Sequence, residues 1–548
     1  MRKKNYFLMA LASLAFMACT SDGLIDESGG REIGDNETAW VSIGIRKPMT
    51  RALNNPNEHN GIEDETNIEN VTLLFFNGHS DASVLTNIMT FNSAKLTEVT
   101  TNPVAFQVSK NAKSVLVIAN PANLPALTVN STLFSTVNAA VAKDAETIIG
   151  AAKKEFMMTN AKGGLEPTML STGADKNLEL YATQAEAQTN KLTLFVDRVV
   201  AKVRVQALKT SDVATIGDSY WTLNVKNKKY FPVSKRVKTH MNTPTSHDIY
   251  ELGSYREDPN YNNTACAWIP NTEAASQTNY NAEYTYYTEK TTPSDIPWKE
   301  AQTAIDGTDP DNNDPKIEYC LENTQREDDN KHAYTTHVLL KTTFLPNEYR
   351  LPDKSVSYVH EGDNDWIEIK GGFYTYVTLM EWIEAELLSK YSNGDPDSYD
   401  AELTGYLNAY LTAINAGAIA IPDKATFEGS NNSAAEQAAD LKELFAKKVD
   451  AVKAKGAFTD GTVNYYAGAE TYYKIMIKHD DDDQVNNKLG EFGVVRNSVY
   501  DVVISKFRNP GYPTIPEPDP SKPDESESWL SLEIKVNNWA WYKQVEEL

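Results

Sequence analysis

The feature that most restricts the fold of this chain is a repeated pattern of short apolar segments separated by turn residues. The segments are rich in β-branched and aromatic residues, and Asn, Asp, Gly and Pro lie between them. Short strands joined by turns are typical of sandwiches, whereas a doubly wound fold needs a helix after each strand. The length of 548 residues exceeds what one core usually serves. We therefore predict a mainly β fold with at least two β-sandwich domains.

Two regions have helical rather than strand periodicity. The stretch from Ser135 to Phe156, rich in Ala, Lys and Glu, predicts a helix in the first half of the chain. Between residues 380 and 455, apolar residues recur at helical spacing in LMEWIEAELLSKY and AAEQAADLKELFAKKVDAVKAK. We interpret this second region as a helical insertion between strands of the second sandwich.

The first residues have the features of an export signal. A basic start, Arg2 to Lys4, precedes an apolar run that is too short to span a membrane. Ala18 then lies directly before Cys19, and a cysteine in this position is the residue that bacterial lipoproteins acylate. Residues 1–18 are therefore predicted to be a signal peptide and Cys19 the lipidation site. An ordinary secretory peptide with an incidental cysteine is the alternative.

Charge and motifs exclude several functions. The chain has 52 Lys and Arg against 76 Asp and Glu, a net charge of −24 that would repel a nucleic acid backbone. Neither the metal-ligand spacings of histidine nor a hydrolase or nucleotide-binding motif is found in the sequence. The acidic run Asp480 to Asp483 is interpreted as a solvated turn rather than a cation site. We predict no enzyme activity, no cofactor and no metal.

Two further cysteines leave a choice open. In an exported chain Cys266 and Cys320 can form a disulfide, or both can remain buried free thiols. Their spacing in the sequence does not decide between these states.

The last twenty residues, 529–548, form a strand pattern behind a proline-rich segment. Six prolines between Pro510 and Pro523 predict an extended, solvated tether at residues 510–528. Beyond it, polar residues alternate with Leu530, Leu532, Ile534 and Val536, the pattern of a strand with one buried face. A bulge at Asn537–Asn538 would turn Trp539 and Trp541 to the same face. The strand can reach a neighbouring subunit or fold back on its own.

Several motifs together resemble the fimbrillins of Bacteroidetes, which are type V pilus subunits, and the Mfa-type fimbrillins most closely. The pattern VVRN-x-x-Y-x-x-x-I lies within EFGVVRNSVYDVVISKF at residues 491–507. A proline-rich stretch and a Trp-containing strand follow it, as in the family. DRVVAKVRV at 197–205 and CLENT at 320–324, followed by HVLLKTTF, are similar to further family segments. The lipoprotein signal and TRA at 50–52 occupy the family positions.

The resemblance implies a fold and a processing route. Two transthyretin-like (Greek-key) β-sandwich domains would occupy residues 52–208 and 209–509, followed by the tether and a donor strand at 529–548. Residues 19–51 would be a propeptide that contains a removable first strand. An arginine-specific, trypsin-like protease would cut after Arg51, so that Ala52 becomes the first residue. The terminal strand of a neighbour would then fill the vacated groove.

The implied function is that of a structural subunit of a cell-surface fimbrium that supports adhesion. Its partners would be other copies in a head-to-tail polymer, fimbrial anchor and tip subunits, and the outer membrane through the lipid before processing. Two alternatives stay open. One is a tip or accessory adhesin, and the other is a surface glycan-binding lipoprotein that stacks sugars on Trp268, Trp298 and Trp366.

Overall fold

The computed structural model of the protein describes residues 38–46, 58–60, 63–122, 124–152, 154–162, 177–233, 235–236, 256–261, 274–304, 316–326, 331–392, 402–479, 490–520, 524 and 530–540. In these residues strands outnumber helices, and four sheets have four or more strands. The prediction of a mainly β fold built from sandwiches is confirmed. No helix in the described ranges is long and apolar enough to cross a membrane.

The N-terminal sheet contains seven strands, which follow each other in space in the order β4-β3-β6-β7-β8-β1-β5. Phe106 on β5 contacts the rings of Phe75 on β3 and Phe91 on β4. The two ends of the strand path therefore face each other across one apolar core. The strand bounds are β1 Thr38–Arg46, β3 Val71–Phe76, β4 Leu85–Phe91, β5 Ala105–Ser109, β6 Ser114–Ala119, β7 Met158–Lys162 and β8 Leu192–Arg198.

The C-terminal sandwich consists of two sheets. One has the order β12-β9-β18-β19-β2, and in the other the long strand β13 pairs with β10, β11 and β17. Val203, Leu340 and Val502 belong to the apolar core between the sheets. The bounds are β2 Glu58–Asn60, β9 Val200–Ala207, β10 Ala214–Ile216, β11 Tyr220–Asn224, β12 Ile317–Leu321, β13 His337–Pro346, β17 Glu470–Met476, β18 Ser498–Phe507 and β19 Leu530–Ala540.

The chain passes from the N-terminal sheet to the C-terminal sheet at Val199. This residue separates β8, which belongs to the N-terminal sheet, from β9, which belongs to the C-terminal one. The change comes earlier than Leu208, where the sequence placed it. Asp197 is the one turn-type residue in these two strands, and no Asn, Gly or Pro accompanies it, so the pattern gives little sign of the break.

A third apolar core holds the helical insertion. Its sheet has the order β15-β14-β16 with Phe458–Thr459 at the edge, and Ile367, Ile383 and Leu441 are among its core residues. The side chain of Ser433 accepts a hydrogen bond from Glu436 N, a capping box at the start of α8. The bounds are β14 Trp366–Ile369, β15 Gly372–Tyr374, β16 Val463–Tyr466, α5 Tyr376–Ser392, α6 Glu402–Ala413, α7 Lys424–Glu428, α8 Ala434–Ala446 and α9 Val449–Lys455.

The single helix expected from Ser135 to Phe156 is wrong. Two one-turn helices, α1 Phe134–Val137 and α2 Ala145–Ile148, lie on either side of Val141–Ala142, which pairs with Lys229–Tyr230. Asp144 caps α2 by accepting from Thr147 N, which fixes a new helix start. Two further helices are α3 Gln184–Thr189 and α4 Ala274–Glu283.

Short elements complete the described structure. The remaining two-residue strands are Lys226–Asn227, Lys235–Arg236, Arg256–Glu257, Tyr284–Thr285, Lys299–Glu300, Asn323–Thr324, Tyr349–Arg350, Val356–Ser357 and Gly493–Val494. The 3-10 helices are Glu63–Thr66, Leu96–Glu98, Pro293–Asp295 and Ala467–Ala469.

Candidate strand-exchange sites

The first strand, β1, lies inside the N-terminal sheet and is paired on both sides. Its first half, Thr38 to Ser42, runs antiparallel to β5, and its second half, Ile43 to Arg46, runs parallel to β8. Trp40 and Tyr181 also exchange backbone hydrogen bonds of 2.8 and 2.9 Å. A strand that changes partners midway joins the two parts of the sheet, so its removal would leave both neighbours with an unpaired edge.

Three apolar side chains of β1 fill the N-terminal core. Val41, Ile43 and Ile45 are 1%, 0% and 2% exposed. At ~1.5–3 kcal/mol for each large aliphatic, their burial contributes roughly 5–9 kcal/mol before ordering costs. Loss of β1 would therefore open an apolar groove between β5 and β8.

The predicted lipidation residue, Cys19, and the predicted processing residues, Arg51 and Ala52, lie outside the described residues. Their roles therefore stay predictions. The structure describes the strands on either side of residues 47–57, which are β1 in the N-terminal sheet and β2 in the C-terminal one.

The C-terminal strand, β19, is paired with its own subunit. It runs antiparallel to β18, with Leu532 opposite Ile504, Ile534 opposite Val502 and Val536 opposite Tyr500. Leu530 is 5% exposed and belongs to the core of the C-terminal sandwich. For Leu532, Ile534, Val536 and Trp539 the backbone is described, and Trp541 lies outside the described residues. The sequence left open whether this strand reaches a neighbouring subunit or folds back on its own, and in this structure it is folded back.

The register between β18 and β19 differs from the sequence prediction in the position of the bulge. Pairing is regular through Asn537 and Asn538, and the irregularity falls between Ile504 and Lys506 of β18. The bulge expected at Asn537–Asn538 is therefore wrong for this pair.

Strand β2 covers the other edge of β19. It runs parallel to β19, with His59 opposite Trp539. In sequence, β2 follows β1 through residues 47–57, the segment that contains Arg51. The segment that joins β1 to β2, the strand beside β19, therefore contains the predicted processing site.

The VVRN residues hold the junction between the two cores. Arg496 donates to the carbonyl oxygens of Phe231 and Pro232 and pairs with buried Glu322. Asn497, at φ +58°, accepts from Arg198 Nη1 at 3.1 Å and donates to Asp197 at 3.1 Å. The backbone N–H of Asn497 also donates to Val200 O. The motif therefore fixes the passage from β8 to β9, and its role here is structural.

A buried ion pair anchors the chain that follows β2. The Glu65 carboxylate lies 2.9 Å from Lys202 Nζ on β9 and accepts from the Tyr319 hydroxyl at 2.6 Å. Neither Glu65 nor Lys202 is exposed. Sequence reasoning did not identify Glu65, since one acidic residue among 76 gives no signal.

The proline-rich segment is not a free tether. Tyr512 and Tyr472 on β17 exchange backbone hydrogen bonds of 2.7 and 2.8 Å, and Tyr466 donates its hydroxyl to Gly511 O at 2.7 Å. Ile515 is buried against Tyr287 and Leu339. The prediction of a solvated tether is therefore wrong for residues 510–520. We call residues 509–520 together with Asp524 the strap.

Asp524, at the end of the strap, is a buried carboxyl group. It is 0% exposed and accepts from the Thr335 hydroxyl at 2.5 Å. Burial raises the pKa of Asp524 to about 7, against opposing contributions from the Thr335 hydrogen bond and the charge of Lys474. The sequence offered no signal for this contact, because the Asp lies in a run of polar residues.

Other predicted residues have different surroundings. Trp366 is wholly buried and stacks on Tyr466 at 4.0 Å, so it cannot stack on a sugar. Trp298 is half-buried beside Tyr472 and Lys341. Cys320 is a buried free thiol, whose pKa is raised by burial, and Cys266 and Trp268 lie outside the described residues. The acidic run Asp480 to Asp483 also lies outside them, and the described part contains no cluster of three or more metal-ligating residues.

The C-terminal region of the chain matches a known protein family. Residues 464–545 match the family described as major fimbrial subunit protein type IV, fimbrillin, C-terminal. The resemblance to fimbrillins is confirmed. The match includes β17, β18, the strap and β19, the elements among which the terminal strand is held. No curated protein matches the chain.

Solved structures of fimbrial proteins are similar at low sequence identity. Fimbrilin FimA of Porphyromonas gingivalis is 14% identical with a TM-score of 0.37, covering 93% of this chain and 99% of its own. The tip fimbrial protein Mfa3 of the same organism is 8% identical with a TM-score of 0.31, covering 92% and 100%. A fimbrial assembly protein of Parabacteroides distasonis is 13% identical with a TM-score of 0.23, covering 59% and 100%.

The family match supports the coarse prediction of function. For residues 464–545 the match supports a fimbrial subunit that assembles with other fimbrial subunits at the cell surface.

Proposed function

We propose that the chain is a shaft subunit of a fimbrium and polymerises by strand exchange. After cleavage following Arg51, β1 leaves the N-terminal sheet and the terminal strand of a neighbouring copy takes its place. The observation that carries this proposal is the position of β1, which is buried, paired on both sides and joined to the next strand by residues 47–57.

The two strands have compatible patterns. β1 has apolar residues at alternate positions, Val41, Ile43 and Ile45, and β19 has them at Leu530, Leu532, Ile534 and Val536. A donated strand of this pattern supplies at least as many apolar side chains to the groove as β1 does and satisfies the edges of β5 and β8. Because exchange runs head to tail without closing a ring, it produces a filament.

Before cleavage, both the acceptor groove and the donor strand are occupied within the same subunit. β1 is covalently attached and therefore competes for the groove at high effective concentration. β19 is paired with β18 and β2 of its own subunit. Cleavage after Arg51 would free β1 and, at the same time, separate it from β2. A precursor with both blocks stays monomeric during export as an acylated lipoprotein of the outer membrane.

The test uses two neighbouring positions of the terminal strand. Ile534→Asp places a carboxylate at an apolar position of the alternation, where it would be unpaired in the groove. Lys535→Asp introduces the same carboxylate side chain at the adjacent, polar position. We expect Ile534→Asp to abolish heat-resistant ladders on gels and Lys535→Asp to retain them. Equal ladders from both variants would show that strand exchange does not use this strand.

A further inference from the structure

The strap contacts a different sheet from the strand that follows it. At its start, Tyr473 donates its hydroxyl to Asn509 O at 3.0 Å, and the Tyr472–Tyr512 backbone pair extends the edge of β17. Gly511 lies so close to β17 that a Cβ atom there would be 2.0 Å from Tyr472 O. The start of the strap is therefore seated directly on the backbone of the second sheet of the C-terminal sandwich.

The middle and the end of the strap are buried as well. Ile515 packs in an apolar cluster with Tyr287, Ile296 and Leu339. Asp524 accepts from the hydroxyl of Thr335, which precedes β13, in a site where neither side chain is exposed. Three attachments of different chemistry, a backbone pair, an apolar contact and a buried carboxylate, thus hold the strap to one sheet.

The exchange of the terminal strand does not require any of these attachments to break. β19 pairs with β18 and β2, both in the first sheet of the sandwich, whereas Tyr472, Leu339 and Thr335 lie in or beside strands of the second sheet. Donation of β19 therefore needs the two strand pairings of the first sheet to open and Leu530 to leave the apolar core, while the strap attachments stay in place.

We infer that the strap stays bound to its own subunit in the fibre and sets the point from which the terminal strand leaves for a second copy. The inference rests on the proposed strand exchange and adds to it the geometry of the subunit contact. Only residues 525–548 would move, while Asp524 remains beside Thr335.

A bound strap shortens the reach of the donor strand severalfold. A free segment 510–528 in an extended conformation would span roughly 60 Å, enough for many arrangements of neighbouring subunits. With the strap bound, residues 525–529 alone connect Asp524 to the strand, and they span roughly 15 Å. The groove between β5 and β8 of the next copy must then open close to Thr335, so subunits are held at a short, defined spacing.

A disulfide between the strap and β17 tests the inference. Tyr472 and Tyr512 form a hydrogen-bonded antiparallel pair, whose Cα separation of about 5.5 Å is within the range of disulfides. The double variant Tyr472→Cys/Tyr512→Cys is oxidised as precursor, and closure of the intramolecular bond is measured by thiol alkylation. The oxidised and reduced forms are then cleaved with trypsin and assembled, with wild type alongside.

We expect the oxidised form to assemble to the same extent as its own reduced form. Oxidised protein that stays monomeric while the reduced form polymerises would overturn the inference, because the strap would have to leave. Hydrogen exchange on wild type checks the result without a substitution: peptides covering Tyr472 and Tyr512 should be equally protected in precursor and fibre, and loss of protection in the fibre would overturn it.

Deletion of residues 529–548 separates this inference from the proposed function. If the truncated protein still polymerises, strand exchange itself is wrong. When truncation abolishes polymers and the oxidised form also fails, strand exchange holds and the bound strap is wrong.

Discussion

Glu65 and Lys202 form an ion pair of 2.9 Å in which neither side chain is exposed to solvent. Glu65 follows β2 in sequence, and Lys202 lies on β9 of the C-terminal sheet. The pair therefore fixes the chain downstream of the predicted cleavage site to the second core. After cleavage at Arg51, the residues up to Arg51 would leave while the new N-terminal segment keeps its attachment.

Breaking this pair should destabilise the subunit strongly. Glu65→Ala removes the carboxylate that lies 2.9 Å from the buried Lys202 ammonium, and we expect a loss of about 3–5 kcal/mol in the free energy of unfolding. Asp218→Ala removes the exposed pair with Lys209 and should leave the free energy of unfolding close to that of wild type. Urea unfolding of both variants and wild type measures the difference. Equal losses would mean that the Glu65 pair is not the anchor inferred above.

Cleavage after Arg51 should be required for polymerisation. Arg51→Ala keeps β1 attached, so we expect precursor to accumulate without ladders on gels. Lys47→Ala removes another basic residue of the same segment and should leave processing intact, because Lys47 precedes Pro48, which makes a poor bond for trypsin-like enzymes. N-terminal sequencing of sheared fibres should give Ala52 first. Fibres beginning at Cys19 would contradict the proposal.

Acylation should depend on Cys19. The lipid is attached to the thiol, so Cys19→Ser should remove the label from cells grown with a radioactive fatty acid and block maturation. Cys320→Ser is the matched control, because Cys320 is buried in β12 and cannot reach a lipid. Label that persists in Cys19→Ser would move the anchor elsewhere, and unlabelled wild type would make the chain an ordinary secreted protein.

Sequence patterns identified the strands but not their partners. Val41, Ile43 and Ile45 alternate with smaller or polar residues, and all three are buried as that pattern predicts. The same alternation in β19 defines one apolar face, yet it cannot say which sheet that face covers. The pairing with β18 depends on a tertiary contact between residues far apart in sequence, which periodicity does not contain.

The strap was missed for a related reason. Proline-rich composition predicts an extended backbone, and the backbone here is indeed free of regular elements, but its carbonyl groups accept from Tyr466 and Tyr473 of distant strands. Such contacts leave no periodic pattern. Tyr512 and Ile515, two apolar side chains among the prolines, were the available signal.

The stability of the strap should depend on pH through Asp524. Burial raises the pKa of Asp524 to about 7 in the folded protein, whereas an unfolded Asp titrates near ~3.9. The folded state therefore binds the proton more tightly. The contribution of Asp524 to stability is fully present below about pH 4, falls as the pH rises towards 7, and is constant above that.

Asp524→Asn isolates this contribution. The amide oxygen can still accept from Thr335, but the side chain no longer titrates. The other groups near Asp524, Lys474, Glu491, His332 and His337, are present in both proteins, so the two proteins differ only in the side chain at position 524. Urea unfolding of the precursor at pH 5 and pH 8 should then show that Asp524→Asn gains stability relative to wild type as the pH rises. A constant difference between the two proteins, or one that shrinks with rising pH, would mean that Asp524 is ionised in its site throughout, with Lys474 rather than a proton balancing its charge.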